Sequence, residues 1–250
     1  MNQKPVVTVI TVVFNAGQLV ARTMESVASQ SWPHIEHLVI DGMSTDNTLE
    51  VVSKYNRPAL KVFSDRDQGI YDAMNKGLDL ATGDYVVFMN AGDEFYGPLV
   101  IERALNDFPQ ADFYYGNTAV VDADGNVLGN RRLTPPEKLN WKSLQFGMCV
   151  SHQSMIVRRS KCVKFDLQYK ISADIDWTIR TLQQCETIVN LHDHVSRFLV
   201  GGISAKRRKA SWFERYRIMS RHYGPVQTFF NHIWILIRFI WHKLTRRSMT

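Results

Sequence analysis

At 250 residues, 45% hydrophobic, 22% charged and 11% aromatic, the chain has the composition of a folded protein, long enough for one large α/β domain with a small appendage. Its three cysteines, Cys149, Cys162 and Cys185, are odd in number and lack CxxC spacing, which argues against a disulfide framework or a zinc site and for a reducing compartment. The net charge of +6 is uneven: residues 197–250 hold twelve Lys or Arg against one acid, Glu214, while residues 1–196 hold 18 basic and 23 acidic groups, so the tail invites an anionic partner such as nucleic acid, a lipid surface or a phosphorylated substrate.

Val6–Phe14 is a continuous apolar run suited to a buried parallel strand. It follows a single lysine, lacks a small-residue cleavage site and ends in Asn15-Ala16-Gly17, so it reads as strand and turn rather than a secretion signal. A cytoplasmic location is expected. A helix over Leu19–Ser29 and a strand at Ile35–Ile40 follow. Thr45–Tyr55 reads as helix, entered through Ser44-Thr45-Asp46. Leu60–Ser64 is a short strand, Ile70–Ala81 a helix and Tyr85–Met89 a fourth strand. Such alternation implies right-handed βαβ crossovers and a mostly parallel sheet, whose ligands bind beyond the carboxyl ends of the strands. The polar clusters at Asn15, Asp41, Asp65–Asp67 and Asn90–Asp93 all follow strand ends.

Further on, Phe113–Val121 and Val127–Leu133 flank the turn Asp122–Asn126 and read as a hairpin. Ser154–Val157 reads as a strand and Asp174–Gln184 as a helix. From Ala205 the chain reads as helical and basic. Phe230, Trp234, Ile237 and Trp241 recur at helical spacing, widened by Phe229, Ile233, Leu236, Ile240 and Leu244. The run is too short and too interrupted to span a bilayer. An interfacial helix flanked by Lys243, Arg246 and Arg247 is expected, lying on the inner leaflet of the cytoplasmic membrane. The alternative is a helix packed on the body or against a second copy in a homodimer. The tail lacks a nucleic-acid reading motif, so no nucleic-acid partner is expected.

The segments Val9–Asn15 (VITVVFN), Val39–Thr48 (VIDGMSTDNT), Asp67–Gly77 (DQGIYDAMNKG), Tyr85–Asp93 (YVVFMNAGD), and His152–Ser154 with Ser172–Asp176 carry a resemblance. In this order they resemble the inverting family two glycosyltransferases, and within them a subgroup that builds bacterial surface polysaccharides of the colanic-acid type. The resemblance spans roughly residues 6–180. It implies a GT-A fold, an α/β architecture with a Rossmann-like nucleotide-binding mixed sheet and flanking helices, followed here by a C-terminal amphipathic helical extension. It divides the chain into a glycosyltransferase domain, 1–204, and a membrane-associating tail, 205–250. Within the domain, the nucleotide-sugar half covers about 1–95 and the acceptor half about 96–204.

The same resemblance implies transfer of one sugar from a nucleoside diphosphate sugar, with inversion and with Mn²⁺ or Mg²⁺ as cofactor, and the basic aromatic tail adds the expectation of a lipid-linked saccharide as acceptor. It places Val13, Phe14, Asn15, Asp41, Asp67, Gly69, Asp72, Asn75, Lys76, Asn90 and Asp93 around the donor, with Asp41 on the base and Asp93 on the metal. His152, Gln153 and Asp176 face the acceptor or diphosphate, and Asp174 is the base. Chemistry agrees that a divalent ion needs only one or two protein carboxylates beside phosphate and water, and that one carboxylate suffices for a single inverting displacement. Simpler readings stand beside these. Asp41 and Asp93 fit turns, Asp72, Asn75 and Lys76 fit a solvated helix face, and Asp174 and Asp176 fit acids at a helix N-terminus. Asp176 competes with Asp174 as base. Two rival functions are a sugar nucleotidyltransferase, which wants a Gly-rich basic loop where Asn15–Gln18 stands, and a binding protein without catalysis.

Overall fold

Apolar β-branched runs become strands and amphipathic stretches become helices, in the order β1 (Val7–Val13), α1 (Val20–Ala28), β2 (Ile35–Asp41), α2 (Thr48–Ser53), β3 (Leu60–Ser64), α3 (Ile70–Leu80) and β4 (Tyr85–Phe88). Then follow β5 (Glu94–Phe95), α4 (Val100–Asp107), β6 (Phe113–Val121), β7 (Val127–Asn130), β8 (Met155–Arg158), α5 (Ala173–Leu182) and β9 (Ile188–Leu199). Two C-terminal helices, α6 (Arg208–Tyr223) and α7 (Pro225–Arg247), complete the chain. This is a computed structural model that describes residues 4–200 and 208–247, with side chains of α7 described to residue 237.

The nine strands form one mixed sheet ordered β3-β2-β1-β4-β8-β6-β9-β5, with β7 paired to β6. β1 lies parallel to β2 and β4, and β2 parallel to β3. β8 runs antiparallel to both β4 and β6, joining the two halves. One face of the sheet buries Ile10, Leu38 and Phe88 against Tyr71, Met74, Phe165 and Trp177. The other buries Val9, Val87 and Tyr114 against Val27, Trp32 and Ile101. The expected α/β architecture is the one observed.

Several boundaries differ, for physical reasons. The helix expected from Thr45 starts at Thr48, because the Asp46 carboxylate accepts from Thr48 N (3.0 Å) and Gly17 N (3.1 Å) while Thr45 N donates to Asn15. The hairpin strand expected to reach Leu133 ends at Asn130. β9 and α4 had no counterpart in the sequence reading. β9 carries His192, Asp193 and His194 at a bulge where His192 has φ 53°, which breaks the alternation that marks a strand. The tail is two helices rather than one, separated at Gly224 (φ 82°) and Pro225. The domain boundary expected between Ser204 and Ala205 lies outside the described residues, as do the side chains of Ile240, Trp241, Leu244, Lys243, Arg246 and Arg247. α6 packs on the body, burying Ile218 and Met219.

One core histidine makes this sheet acid-sensitive. His37 on β2 is fully buried, shares a hydrogen bond with Thr11 Oγ1 (3.0 Å), and is pushed down to about 3 by burial, with the Arg57 charge adding. Its folded-state value lies below the unfolded one, so the penalty is absent above pH 6.5. It grows by about 1.4 kcal/mol per pH unit as pH falls toward 3. Urea-unfolding free energy should therefore decline below pH 6.5, and His37→Gln should flatten that decline. An equal slope in the variant would contradict this.

Candidate functional site

Parallel pairing brings the ends of β1, β2, β3 and β4 to one edge of the sheet, and each delivers a polar loop there. The β1 and β2 loops are cross-linked. Asn15, in left-handed backbone (φ 48°), accepts at Oδ1 from Thr45 N (2.9 Å), and its own N donates to Ser44 Oγ (2.9 Å). Ala16 N donates to Thr48 Oγ1 (2.8 Å). Val13 is buried below, whereas Phe14 is 63% exposed at the edge. A Cβ on Gly42 would stand 2.4 Å from Asp67 Oδ2 and 3.4 Å from Phe14 Cδ2. Phe14 and the Asp67 carboxylate therefore converge over the bare Gly42 backbone.

Asp41 departs from the expected contact with a base. It is fully buried, and its oxygens accept from Ser44 Oγ (2.5 Å), Ser44 N and Ser64 Oγ (2.6 Å). It shapes the loop from within. Asn75 is likewise turned inward, donating to Phe165 O (3.0 Å) and accepting from Phe165 N (2.8 Å). Gly69 (φ 118°) opens α3, and its N donates to Asp67 Oδ1 (2.8 Å). Asp72 accepts from Gln68 N (3.0 Å), and Lys76 bonds Asp65 (3.2 Å) and lies 3.9 Å from Asp72. These contacts brace the loop between β3 and α3.

Beyond β4 lies a cavity of about 310 Å³ bordered by Tyr71, Asn90, Asp93, His152, Lys170 and Asp174. Asp93 is 6% exposed and accepts from Leu199 N (3.3 Å) and Gln153 Nε2 (3.2 Å). Burial pushes it up to about 7. Asn90 Nδ2 donates to His152 Nε2 (3.0 Å), so the neutral ring carries its proton on Nδ1, which faces Asp174 Oδ2 at 4.0 Å. Burial pulls His152 down, against the opposing pull of Asp174. Asp174 opens α5, accepting at Oδ1 from Ile175 N (3.0 Å) and more distantly from Tyr71 Oη (3.4 Å).

The two aspartates at this helix start have opposite surroundings. Asp176 is fully buried between Arg180 (Nε to Oδ2, 2.7 Å) and His222 (Nε2 to Oδ1, 2.8 Å), which together hold it below the usual carboxylate range despite burial. It cannot reach a substrate. Asp174 borders the cavity.

A divalent ion has oxygen ligands available beside Asn90. Asn90 Oδ1 is buried with no partner among the described residues, and the Arg22 charge only partly offsets the burial of Asp93. Among the described residues no group of three or more His, Cys, Asp or Glu could hold a metal by itself. Two protein oxygens fit an ion completed by phosphate and water. Sequence reasoning missed Tyr71, Lys170, Glu214, and the half-buried Arg131 and Arg215, both within electrostatic reach of Asp174. Glu214, Arg131 and Arg215 come from segments distant in sequence from any motif, and Lys170 lies just before the Ser172–Asp176 segment. Tyr71 lies inside the Asp67–Gly77 segment, where it reads as an ordinary helix core residue.

The Glycosyl transferase family 2 model matches residues 8–164. A PGL/p-HBAD biosynthesis glycosyltransferase of Mycobacterium bovis is 28% identical over 200 residues, covering 76% of this chain and 75% of that protein. An uncharacterized glycosyltransferase of Mycobacterium tuberculosis is 30% identical over 229 residues, or 88% of this chain and 84% of its own length. Among solved structures, S. aureus TarS 1-349 in complex with UDP-GlcNAc matches with a TM-score of 0.67 at 20% identity, over 79% of this chain and 59% of that one. The mannosyltransferase PcManGT from Pyrobaculum calidifontis, in complex with GDP-Man and Mn²⁺, gives 0.57 at 18% identity, over 93% and 65%. The chain thus spans less than two thirds of either solved structure, and the likeness to them is one of fold, GT-A.

Geometry separates the two aspartates in a measurable way. Asp176→Ala strands Arg180 and His222 around a buried gap and should cost about 3–5 kcal/mol of folding stability, the scale for breaking a buried ion pair. Asp174→Ala should leave the melting temperature within a few degrees. Equal thermal stability of the two variants would contradict the assignment.

Proposed function

The chain belongs to glycosyl transferase family 2, and from that premise we propose that it moves one hexosyl or N-acetylhexosaminyl unit from a nucleoside diphosphate sugar to a hydroxyl of a lipid-linked saccharide, inverting the anomeric centre, in the building of a bacterial polysaccharide. Relatives in glycoconjugate biosynthesis agree with the general class. The observation that carries the chemistry is that Asp174, partly exposed, borders the same cavity as Asn90 and Asp93.

The donor base would lie against the exposed ring of Phe14, with Asp67 at its edge, over the loops that Asn15 and Asp41 hold in place. Its diphosphate would lie beside Asn90–Asp93. Asp93 and Asn90 Oδ1 would hold Mn²⁺ or Mg²⁺, which when bound neutralises charge on the leaving diphosphate. The acceptor hydroxyl would face Asp174. Its oxygen bonds the anomeric carbon as the carbon–oxygen bond to diphosphate breaks, the bonding pair leaves with the diphosphate, and the proton passes to Asp174. His152 Nδ1 lies 4.0 Å from the Asp174 carboxylate as an electrostatic neighbour, and the Gln153 amide orients Asp93. The solved Mn²⁺ complex of a fold relative supports the metal. A nucleotidyltransferase would need cationic phosphate ligands in the β1 loop, where instead Asn15 and Asp46 lock neutral and acidic groups.

The 205–250 segment supports a membrane-associated role. No helix among the described residues is long and apolar enough to cross a bilayer. α7 is inside out for a core helix. It buries Thr228, Asn231 and His232 while exposing Phe229, Phe230, Ile233, Trp234 and Ile237. On an anionic inner leaflet each large apolar side chain would contribute about 1–2 kcal/mol, and nearby cations about 1 kcal/mol each, reduced by salt.

Two outcomes check this reading. Asp174→Asn should keep donor affinity and lose about 10²-fold or more in turnover. Full activity there would remove the base. Phe230→Glu with Trp234→Glu, at positions 63% and 55% exposed, should abolish co-sedimentation with anionic vesicles while leaving the melting temperature and transfer to a short soluble acceptor intact. Undiminished sedimentation would contradict the membrane contact.

A further inference from the structure

α6 reaches the candidate catalytic centre from outside the motif-bearing region. Glu214 aims its carboxylate at the segment that leads into α5. Its Oε1 accepts from Lys170 N (2.8 Å), and its Oε2 accepts from Ile171 N (2.8 Å) and Ser172 N (2.9 Å). One carboxylate thus holds three consecutive backbone N–H groups in charge-assisted bonds, the stronger class of hydrogen bond. Ser211, three residues earlier on α6, meets Ser172 Oγ with its own hydroxyl (3.0 Å). Two turns later, His222 of the same helix holds Asp176. α6 therefore grips the chain on both sides of Asp174.

The gripped segment is the wall of the cavity. Lys170 and Ile171 border it, and the Ile171 carbonyl accepts from Tyr71 Oη (2.9 Å), the hydroxyl that also approaches Asp174. The helix itself does not need Glu214 to form. α5 is anchored by Trp177, Ile179 and Leu182 in the core. What Glu214 adds is the path of residues 170–172, and with it the direction in which the Asp174 carboxylate enters the cavity.

We propose that Glu214 is a positioning residue for glycosyl transfer, fixing Lys170–Ser172 so that Asp174 meets the acceptor hydroxyl. The inference rests on the reading of Asp174 as base. Misplacing a reacting group by about 1 Å costs on the order of 10²-fold in rate, so loosening this segment reaches the chemistry without touching a substrate. It also makes α6 part of the enzyme rather than part of a membrane appendage. A simple tether between α6 and the body would instead affect stability alone.

Glu214→Gln keeps the shape but loses the charge and one of the two accepting oxygens. It should lower kcat about 10-fold or more, with donor KM within about twofold and the melting temperature within a few degrees. Combined with Asp174→Asn it should cost little beyond Asp174→Asn alone, because a base that is absent needs no positioning. If Glu214→Gln does not stay folded, Ser211→Ala loosens Ser172 alone and should lower kcat about two- to fivefold at unchanged donor KM. A folded Glu214→Gln enzyme with kcat within twofold of the parent overturns the proposal, as does full additivity in the double variant. Failure of the base reading shows separately, as full activity of Asp174→Asn alone.

Discussion

Three stacked aromatic rings tie α3 to α5. Tyr71 of α3 stacks on Phe165 (centroids 5.4 Å apart), which stacks on Trp177 of α5 (5.1 Å), and Phe88 of β4 meets Phe165 and Trp177 edge-on. Such pairs contribute about 0.5–1.5 kcal/mol each beyond the area they bury. Their value here is geometric. α3 follows the Asp67–Gly69 loop and α5 carries Asp174 in its first turn, so the stack fixes the spacing between that loop and the carboxylate. Asn75 adds to the same joint by holding both backbone groups of Phe165.

Around that joint, burial sorts the ionisable groups by task. Asp176, sealed between Arg180 and His222, is a structural anion. Asp93 is sealed with an amide and a backbone N–H as its hydrogen-bond donors, and burial, aided by the Glu94 charge and only partly opposed by Arg22, pushes it up to about 7, where a bound cation would draw it back to the charged form. Burial pulls His152 down, and the ring bonds Asn90 while standing 4.0 Å from Asp174. Asp174 alone among these acids combines partial exposure with a helix start, a setting in which a carboxylate can take a proton from a neighbouring hydroxyl.

Much of this was legible in the sequence because the relevant patterns are local. β-branched runs alternating with helical stretches gave the parallel half of the sheet, and the polar residues after each strand marked the edge where the loops converge. What the sequence hid was long-range. Asp41 reads as an open acid at a strand end, yet Ser44 and Ser64 enclose it. Asp174 and Asp176 are near-equivalent in one dimension, and the seal on Asp176 is completed by His222, 46 residues on. Glu214, the single acid in a basic tail, looks like an exception to the charge pattern until its three backbone partners appear. β9 escaped because its polar bulge breaks strand alternation. α7 was readable as amphipathic, but only packing reveals that its polar side is the buried one.

On the proposed reading Asp174 is the one base for a single displacement at the anomeric carbon, so the stereochemistry of the product is the most direct test of the site. Proton NMR of the saccharide formed from an α-linked nucleoside diphosphate sugar should show a new β-glycosidic linkage, present from the first turnovers and accompanied by stoichiometric nucleoside diphosphate. A new α-linkage would require a second displacement or a front-face route, and would contradict the role assigned to Asp174.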